Sequence, residues 1–296
     1  MNKNSIDFFV LGVQKSGTTT LHNWLIQNPQ ISLPNIKETH YFSSNYSKGI
    51  KWYLSQFYDD DCKMKGEVDP SYIYCKDSAV NIKEYIDKPK FIIIFRKPID
   101  RAYSQYLMSK YRGYESDTFI NAIKNEKNII NKDNFSFYNY SYLSRGYYYE
   151  QLSYYKTIFP DSLYHFIKFD DIINSDKNKS VYDEICNFLE IDNLDINLDV
   201  VYNRAKSYKS KSIRDFIYNN DFIKDVGRYL FKSDSSRVKI KKSIEKFNTQ
   251  DIKSEKLNEE KIKIMNNLDS SIISWNNEQV KLLSKATKLD LNDWII

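Results

Sequence analysis

Residues 12–19 read Gly12-Val13-Gln14-Lys15-Ser16-Gly17-Thr18-Thr19, a stretch whose residue types suit the holding of an anion. Phe8, Phe9, Val10 and Leu11 ahead of it form a short apolar run of the kind that becomes a buried parallel strand. Leu21, Trp24 and Leu25 behind it fall on one face of a helix, and Thr18 to Thr20 are expected to cap that helix. A loop between a strand end and a helix N-terminus presents unpaired N–H groups and the positive end of the helix dipole, and phosphate is the usual anion there. A nucleoside-triphosphatase loop reads G-x-x-x-x-G-K-[ST]. Here the glycine spacing holds, but Thr18 follows Gly17 and the lysine, Lys15, lies inside the loop beside the expected anion.

Directly after an apolar strand, Lys15-Ser16-Gly17-Thr18-Thr19 resembles the 5′-phosphosulfate loop of the sulfotransferases that use 3′-phosphoadenosine-5′-phosphosulfate (PAPS). The resemblance implies that Lys15, Ser16, Gly17, Thr18, Thr19 and Thr20 hold the donor's 5′ end. It also implies that Lys15 neutralises charge growing on the bridging oxygen in the transition state. A second match lies at residues 90–104. Phe91-Ile92-Ile93-Ile94-Phe95 reads as a central strand, and Arg96-Lys97-Pro98-Ile99-Asp100-Arg101-Ala102-Tyr103-Ser104 is similar to the family's R-[DN]-P-x-[ED]-R-x-x-S. It implies that Arg96 and Ser104 bind the donor's 3′-phosphate. Arg96 offers a bidentate fork at a strand's carboxyl end, where open α/β sheets place ligands.

Lys37-Glu38-Thr39-His40-Tyr41-Phe42, followed by Gly49 and Trp52-Tyr53, resembles the K-E-x-H-[FY]-F and G-x-x-W-Y of the heparan-sulfate-type and many bacterial carbohydrate sulfotransferases. The resemblance implies that Glu38 is the general base for an acceptor hydroxyl. His40 competes for that role, because an ordinary imidazole titrates nearer neutrality. Lys37 either holds Glu38 charged or contacts the sulfate. Glu67-Val68-Asp69-Pro70 is similar to the family's E-K-T-P or E-x-[ST]-P, with Val68 in the lysine's place and Asp69 before the proline. Glu67 is a secondary candidate for the acceptor site. Gly146 to Leu152 resembles the family's G-x-Y-x-x-x-L, which assigns Tyr148 to the nucleotide pocket. Asn203 to Lys211 resembles N-x-S-x-x-P-R-S, which assigns Lys209 and Ser210 to a loop over the 3′-phosphate. A basic loop ordered only on binding is the other reading of that segment.

These residues need a scaffold that brings strand ends together. The expectation is an α/β three-layer sandwich with a central parallel sheet and a P-loop-like first unit. It would be one domain over residues 1–296, with an insertion at about 119–140 and a helical part from about 213. A chain of 296 residues can bury such a core. The net charge of +5 suits anionic ligands without demanding nucleic acid, and no nucleic-acid partner is expected. Three cysteines, Cys62, Cys75 and Cys186, have no metal or redox spacing and suit a reducing compartment. A first strand from about residue 7 leaves no room for a signal peptide, and no run reaches the length of a membrane span. The expectation is a cytoplasmic protein with no integral membrane contact. The implied reaction moves a sulfuryl group from PAPS to a hydroxyl on a saccharide or glycolipid, releases adenosine 3′,5′-bisphosphate and needs no metal. Two alternatives stay open: a magnesium-dependent kinase or NTPase, against which the strand ending in Arg96 instead of Asp argues, and a non-catalytic nucleotide-binding protein of the same fold.

Overall fold

The computed structural model describes residues 6–58, 62–199, 206–208, 210, 243, 249–251 and 254–296. The strands in chain order are β1 (Phe8–Gly12), β2 (Ile31–Ser32), β3 (Met64–Val68), β4 (Lys90–Phe95), β5 (Tyr164–Lys168), β6 (Lys206–Tyr208) and β7 (Thr249–Asp251). The helices are α1 (Thr18–Leu25), α2 (Ile50–Leu54), α3 (Lys76–Lys83), α4 (Pro98–Tyr111), α5 (Phe119–Ile129), α6 (Asn134–Asn139), α7 (Tyr148–Ile158), α8 (Phe169–Ile173), α9 (Asn178–Leu189), α10 (Ser254–Met265) and α11 (Ser270–Thr287). The chain forms two compact units.

The first unit comprises Met1–Arg101, Arg145–Asn203 and Trp275–Ile296. Its sheet has five strands, all parallel, in the order β2-β3-β1-β4-β5. Successive side chains of a strand face opposite ways, and both faces of this sheet are covered. Phe8 and Val10 of β1, with Ile92 and Ile94 of β4, meet Leu21, Trp24 and Leu25 of α1 and Val181, Ile185 and Leu189 of α9. Phe9, Leu11, Phe91, Ile93 and Phe95 meet Ala79 and Ile82 of α3, Leu152 and Tyr155 of α7, and Val280 and Leu283 of α11. Burial on both faces is the reason these strands are continuous apolar runs, and it makes the unit the expected three-layer α/β sandwich.

The order of the strands decides where a ligand goes. From β1 the chain passes to β2 and β3 on one side, then crosses to β4 and β5 on the other. That reversal opens a crevice at the carboxyl ends of the strands beside β1. The pairing of β1 with β4 slips there: Val10 faces Ile92 but Gly12 faces Ile93, so Leu11 is an extra residue. A bulge of this kind bends the strand and re-aims the chain leaving it.

The second unit comprises Ala102–Ser144 and Arg204–Ser274. Residues 119–140, where the sequence showed little periodicity, contain α5 and α6. Phe119, Ala122, Ile123 and Glu126 are buried along one face of α5. Thr118 Oγ1 caps α5 by accepting from Asn121 N, and Asp133 Oδ1 caps α6 by accepting from Ser136 N. The Glu126 carboxylate accepts from the backbone N of Leu143 and of Ser144, at 2.6 and 2.8 Å. Strands β6 and β7 pair antiparallel, Lys206 facing Asp251. The helical part expected from about 213 lies partly outside the described residues; α10 and α11 are its described helices. No helix among the described residues is long and apolar enough to cross a membrane.

One contact of the sheet leaves no slack. Gly66 faces Phe8 across β1 and β3, and a Cβ at Gly66 would lie 2.3 Å from the Phe8 ring. Phe8 is fully buried and cannot swing to solvent. Gly66→Ala should therefore lower unfolding free energy by ~1–3 kcal/mol, read from a denaturant midpoint; an unchanged midpoint would show that the Phe8 ring repacks freely.

Candidate active site

The loop after β1 is built by backbone conformation more than by side-chain caps. Gly17 is the N-cap of α1 in the left-handed region (φ 82°), and no side chain caps the helix. Thr18, Thr19 and Thr20 are instead its first turn, which corrects the expectation that they cap it. The reason is geometric: once Gly17 turns the chain, the threonines already have helical backbone. The first-turn N–H groups of a helix lack an intrahelical acceptor, and that end of a helix suits an anion. Lys15 also has a left-handed backbone (φ 74°). The Ser16 hydroxyl is fully buried, and its Oγ has no hydrogen-bond partner among the described residues. A buried hydroxyl without a partner costs free energy that a bound oxyanion would recover, so the loop fits a phosphosulfate.

Arg96 closes the loop from the end of β4. Its Nη1 donates to the Lys15 carbonyl at 2.9 Å, and its guanidinium lies over the Phe169 ring at 4.5 Å. Phe169 also packs on the loop: a Cβ on Gly17 would come within 3.1 Å of its ring. Behind Arg96, the Tyr148 hydroxyl donates to the Arg96 carbonyl at 3.0 Å, with the Tyr148 side chain fully buried. Tyr148 therefore meets the protein in this structure and supports the strand end. Burial lowers the Arg96 guanidinium below its ordinary value, and Asp100, Tyr148 and Asp170 only partly offset this. A bound anion would offset the rest.

The third element is the loop at residues 37–40, held by the end of β3. Thr39 points inward, and its N and Oγ1 both donate to Glu67 Oε1, at 2.9 and 2.6 Å. Tyr72 donates its hydroxyl to Glu67 Oε2 at 2.9 Å. One residue on, His40 donates from its backbone N to Asp69 Oδ2 at 2.9 Å, and its Nδ1 lies 2.8 Å from the same oxygen. Asp69 Oδ1 accepts from Ser71 N. Both carboxylates are fully buried. Glu38 and His40, flanking Thr39, have left-handed backbones (φ 61° and 52°). Each such conformation costs a non-glycine residue of order 1 kcal/mol and persists only where the surroundings enforce it. The Glu38 carboxylate, partly exposed, pairs with the Lys37 ammonium.

Two of these groups titrate far from their usual range. Burial, then the charge of Asp69, raises the Glu67 carboxyl to about 7 against the pull of Thr39 and Tyr72. Burial alone would lower the His40 imidazole, but the charge and hydrogen bond of Asp69, with Glu38 and Glu67 adding, outweigh it and raise it to about 9.

The sheet thus brings Lys15, Ser16, Gly17, Thr18, Thr19, Thr20, Arg96, Lys37, Glu38 and His40 to the carboxyl ends of β1, β3 and β4 within the first unit. Glu67 lies behind the Glu38 loop, with both oxygens accepting from the protein. Ser104 is half-buried on α4 in the stretch belonging to the second unit, which also contains the half-buried Ser210; Lys209 lies outside the described residues. Sequence reasoning missed Phe169 as the platform for Arg96 and Asp69 as the partner of His40. Asp69 in place of the family's hydroxyl residue was the available signal for the second.

The sulfotransferase domain family matches residues 5–268, and the chain belongs to that family. The membrane-associated sulfotransferase kil1 of Dictyostelium discoideum is 26% identical over 269 aligned residues, which take in 64% of this chain and 57% of that protein. Human heparan sulfate glucosamine 3-O-sulfotransferase 3B1 is 29% identical over 113 residues, 37% of this chain and 28% of that protein. The chain thus spans a little over half of the first relative's length and less of the second's. A sulfotransferase of Alicyclobacillus acidocaldarius superposes with a TM-score of 0.62 at 19% identity, over 98% of both chains, a likeness of fold.

The Glu67 shift has a signed consequence for stability. A carboxyl raised in the folded state stabilises fully below its unfolded value of 4.5, and that contribution is lost as pH rises through about 7. The stability of the wild type relative to Glu67→Gln should therefore fall between pH 4.5 and above 7, in parallel urea titrations. A difference that is flat with pH would show that Glu67 is ionised throughout.

Proposed function

We propose that this protein transfers a sulfuryl group from PAPS to a hydroxyl of a carbohydrate or glycoconjugate. The observation that carries the reading is the meeting, at one sheet edge, of three strand ends: β1 with the anion loop, β4 with Arg96 and β3 with the Glu38 loop. Membership of the family supports the reaction class. The similarity to a heparan sulfate 3-O-sulfotransferase supports a saccharide acceptor.

In this reading the N–H groups and hydroxyls of Ser16, Gly17, Thr18, Thr19 and Thr20 hold the donor's 5′-phosphate. Arg96 selects the 3′-phosphate, with Ser104, Lys209 and Ser210 assigned to the same group and Tyr148 fixing the strand end that carries Arg96. Glu38 takes the proton of the acceptor hydroxyl as its oxygen attacks sulfur. The bond from sulfur to the 5′-phosphate oxygen breaks, and Lys15 neutralises the charge left on that oxygen. Adenosine 3′,5′-bisphosphate leaves. Charge stabilisation of this kind acts only in the transition state and so raises turnover, not affinity. Lys37 pairs with Glu38 and holds its carboxylate close to the acceptor.

Calorimetric titration with adenosine 3′,5′-bisphosphate, with ATP in parallel and no metal added, tests the donor site. Binding of the bisphosphate with little binding of ATP is expected; binding of neither, or of ATP only with magnesium, overturns the reading. Arg96→Ala should weaken bisphosphate binding about 10- to 100-fold, the worth of one charge-assisted hydrogen bond. Glu38→Gln should lower kcat by about 10²- to 10⁴-fold with bisphosphate affinity kept. Full activity in that variant would remove Glu38 from the base's role.

A further inference from the structure

Two residues of the 37–40 loop could accept a proton, and the structure distinguishes them. Glu38 is partly exposed and pairs with Lys37. His40 is 37% exposed at its side chain, but its Nδ1 lies 2.8 Å from a carboxylate oxygen of the fully buried Asp69. The same oxygen accepts from the His40 backbone N, so one carboxylate holds both the ring and the main chain of one residue. With Nδ1 committed to Asp69, Nε2 is the ring's other nitrogen.

The charges around this ring all bear on its ionisation. Glu38 faces it from its own loop, and Glu67 and Asp69 face it from β3 and the turn after it. Lys37 is committed to Glu38. Val68, between Glu67 and Asp69, is packed in the core and supplies no charge at this edge. The carboxylates of Glu38 and Asp69, joined by Glu67 where it is ionised, would repel an anionic sulfuryl group brought beside them unless a cation stood among them.

We propose that Asp69 is a positioning residue that holds His40 as a fixed imidazolium, so that His40 presents positive charge to the transferring sulfuryl group and proton acceptance falls to Glu38. The proposal rests on the sulfotransferase reading above. Magnitudes favour it over a histidine base. With an imidazole near 9, only about one molecule in a hundred has the neutral ring at pH 7. A base at that population gives up most of its rate. A cation, by contrast, is present in nearly every molecule, and its hold on the ring needs no rearrangement during transfer.

The first measurement needs no variant and no donor. NMR titration of the intact protein follows the imidazole signals of His22, His40 and His165, with His40→Gln identifying the His40 signal. A His40 midpoint well above the ordinary 6.5 is expected. A midpoint at or below 6.5 overturns the proposal. Asp69→Asn should bring the midpoint down by about one unit or more, the loss of one close charge. Asp69 is fully buried, so a second arm independent of that variant's folding uses His40→Gln. It should lower kcat about 10- to 100-fold, leave adenosine 3′,5′-bisphosphate affinity unchanged, and remove an alkaline limb near pH 9 from the wild-type rate profile. A wild-type rate that instead rises through pH 9 would make His40 the base and end the proposal. The two readings fail separately: absent bisphosphate binding removes the sulfotransferase assignment, while the His40 midpoint is read on the free protein.

Discussion

The arrangement depends on two carboxylates buried at the end of a single strand. Glu67 and Asp69 are two residues apart, and each holds one residue of the loop that carries Glu38: Glu67 holds Thr39 and Asp69 holds His40. Burying two acids side by side is costly, because each loses water and repels the other. The cost is offset by hydrogen bonds from Thr39, Tyr72, Ser71 and His40, all supplied by chain that must be in place for the loop to have its shape. Loop geometry and core polarity are therefore one problem with one solution. Removing the Tyr72 hydroxyl would take from Glu67 Oε2 the hydrogen bond it accepts there, a cost for a buried acceptor.

The opposite side of the crevice uses a different device. Around Arg96 the anchoring is by packing and main-chain contact: Phe169 lies under the guanidinium, Lys15 offers its carbonyl, and Tyr148 holds the strand end. Phe169 also abuts Gly17, so one ring touches both the N-cap of α1 and the arginine. The two sides share β1, whose Val10 carbonyl accepts from Asp69 N and whose following residue, Val13, donates to the Ile94 carbonyl. The anion loop is thus tied through backbone hydrogen bonds to both flanking strands.

Much of this was legible in the sequence, for a physical reason. Parallel strands covered on both faces leave unmistakable apolar runs, and Phe8 to Leu11 and Phe91 to Phe95 are such runs. The loop between β1 and α1 is local, its residues contiguous, so its strand–turn–helix outline can be read from neighbouring positions. What escaped was non-local or conformational. His40 and Asp69 are 29 positions apart, and no local pattern announces that one carboxylate will meet one imidazole. The cap by Gly17 escaped because threonine side chains advertise capping while glycine advertises only freedom. The face of α5 escaped because Lys and Asn dominate residues 119–140, masking the spacing of Phe119, Ala122 and Ile123.

Lys15, Glu38 and His40 share a backbone region that glycine occupies without penalty. On backbone grounds alone glycine would be favoured at all three places, although at position 40 it would also cost the buried Asp69 its imidazole partner. In the proposed reading, three of the positions where the backbone favours having no side chain are ones where chemistry requires one, while Glu190 and Lys288 share the conformation and have no part in that reading. The crevice is therefore where tolerance to heat and capacity for reaction pull the sequence in opposite directions, and a lineage drifting away from activity would be free to lose its side chains there first.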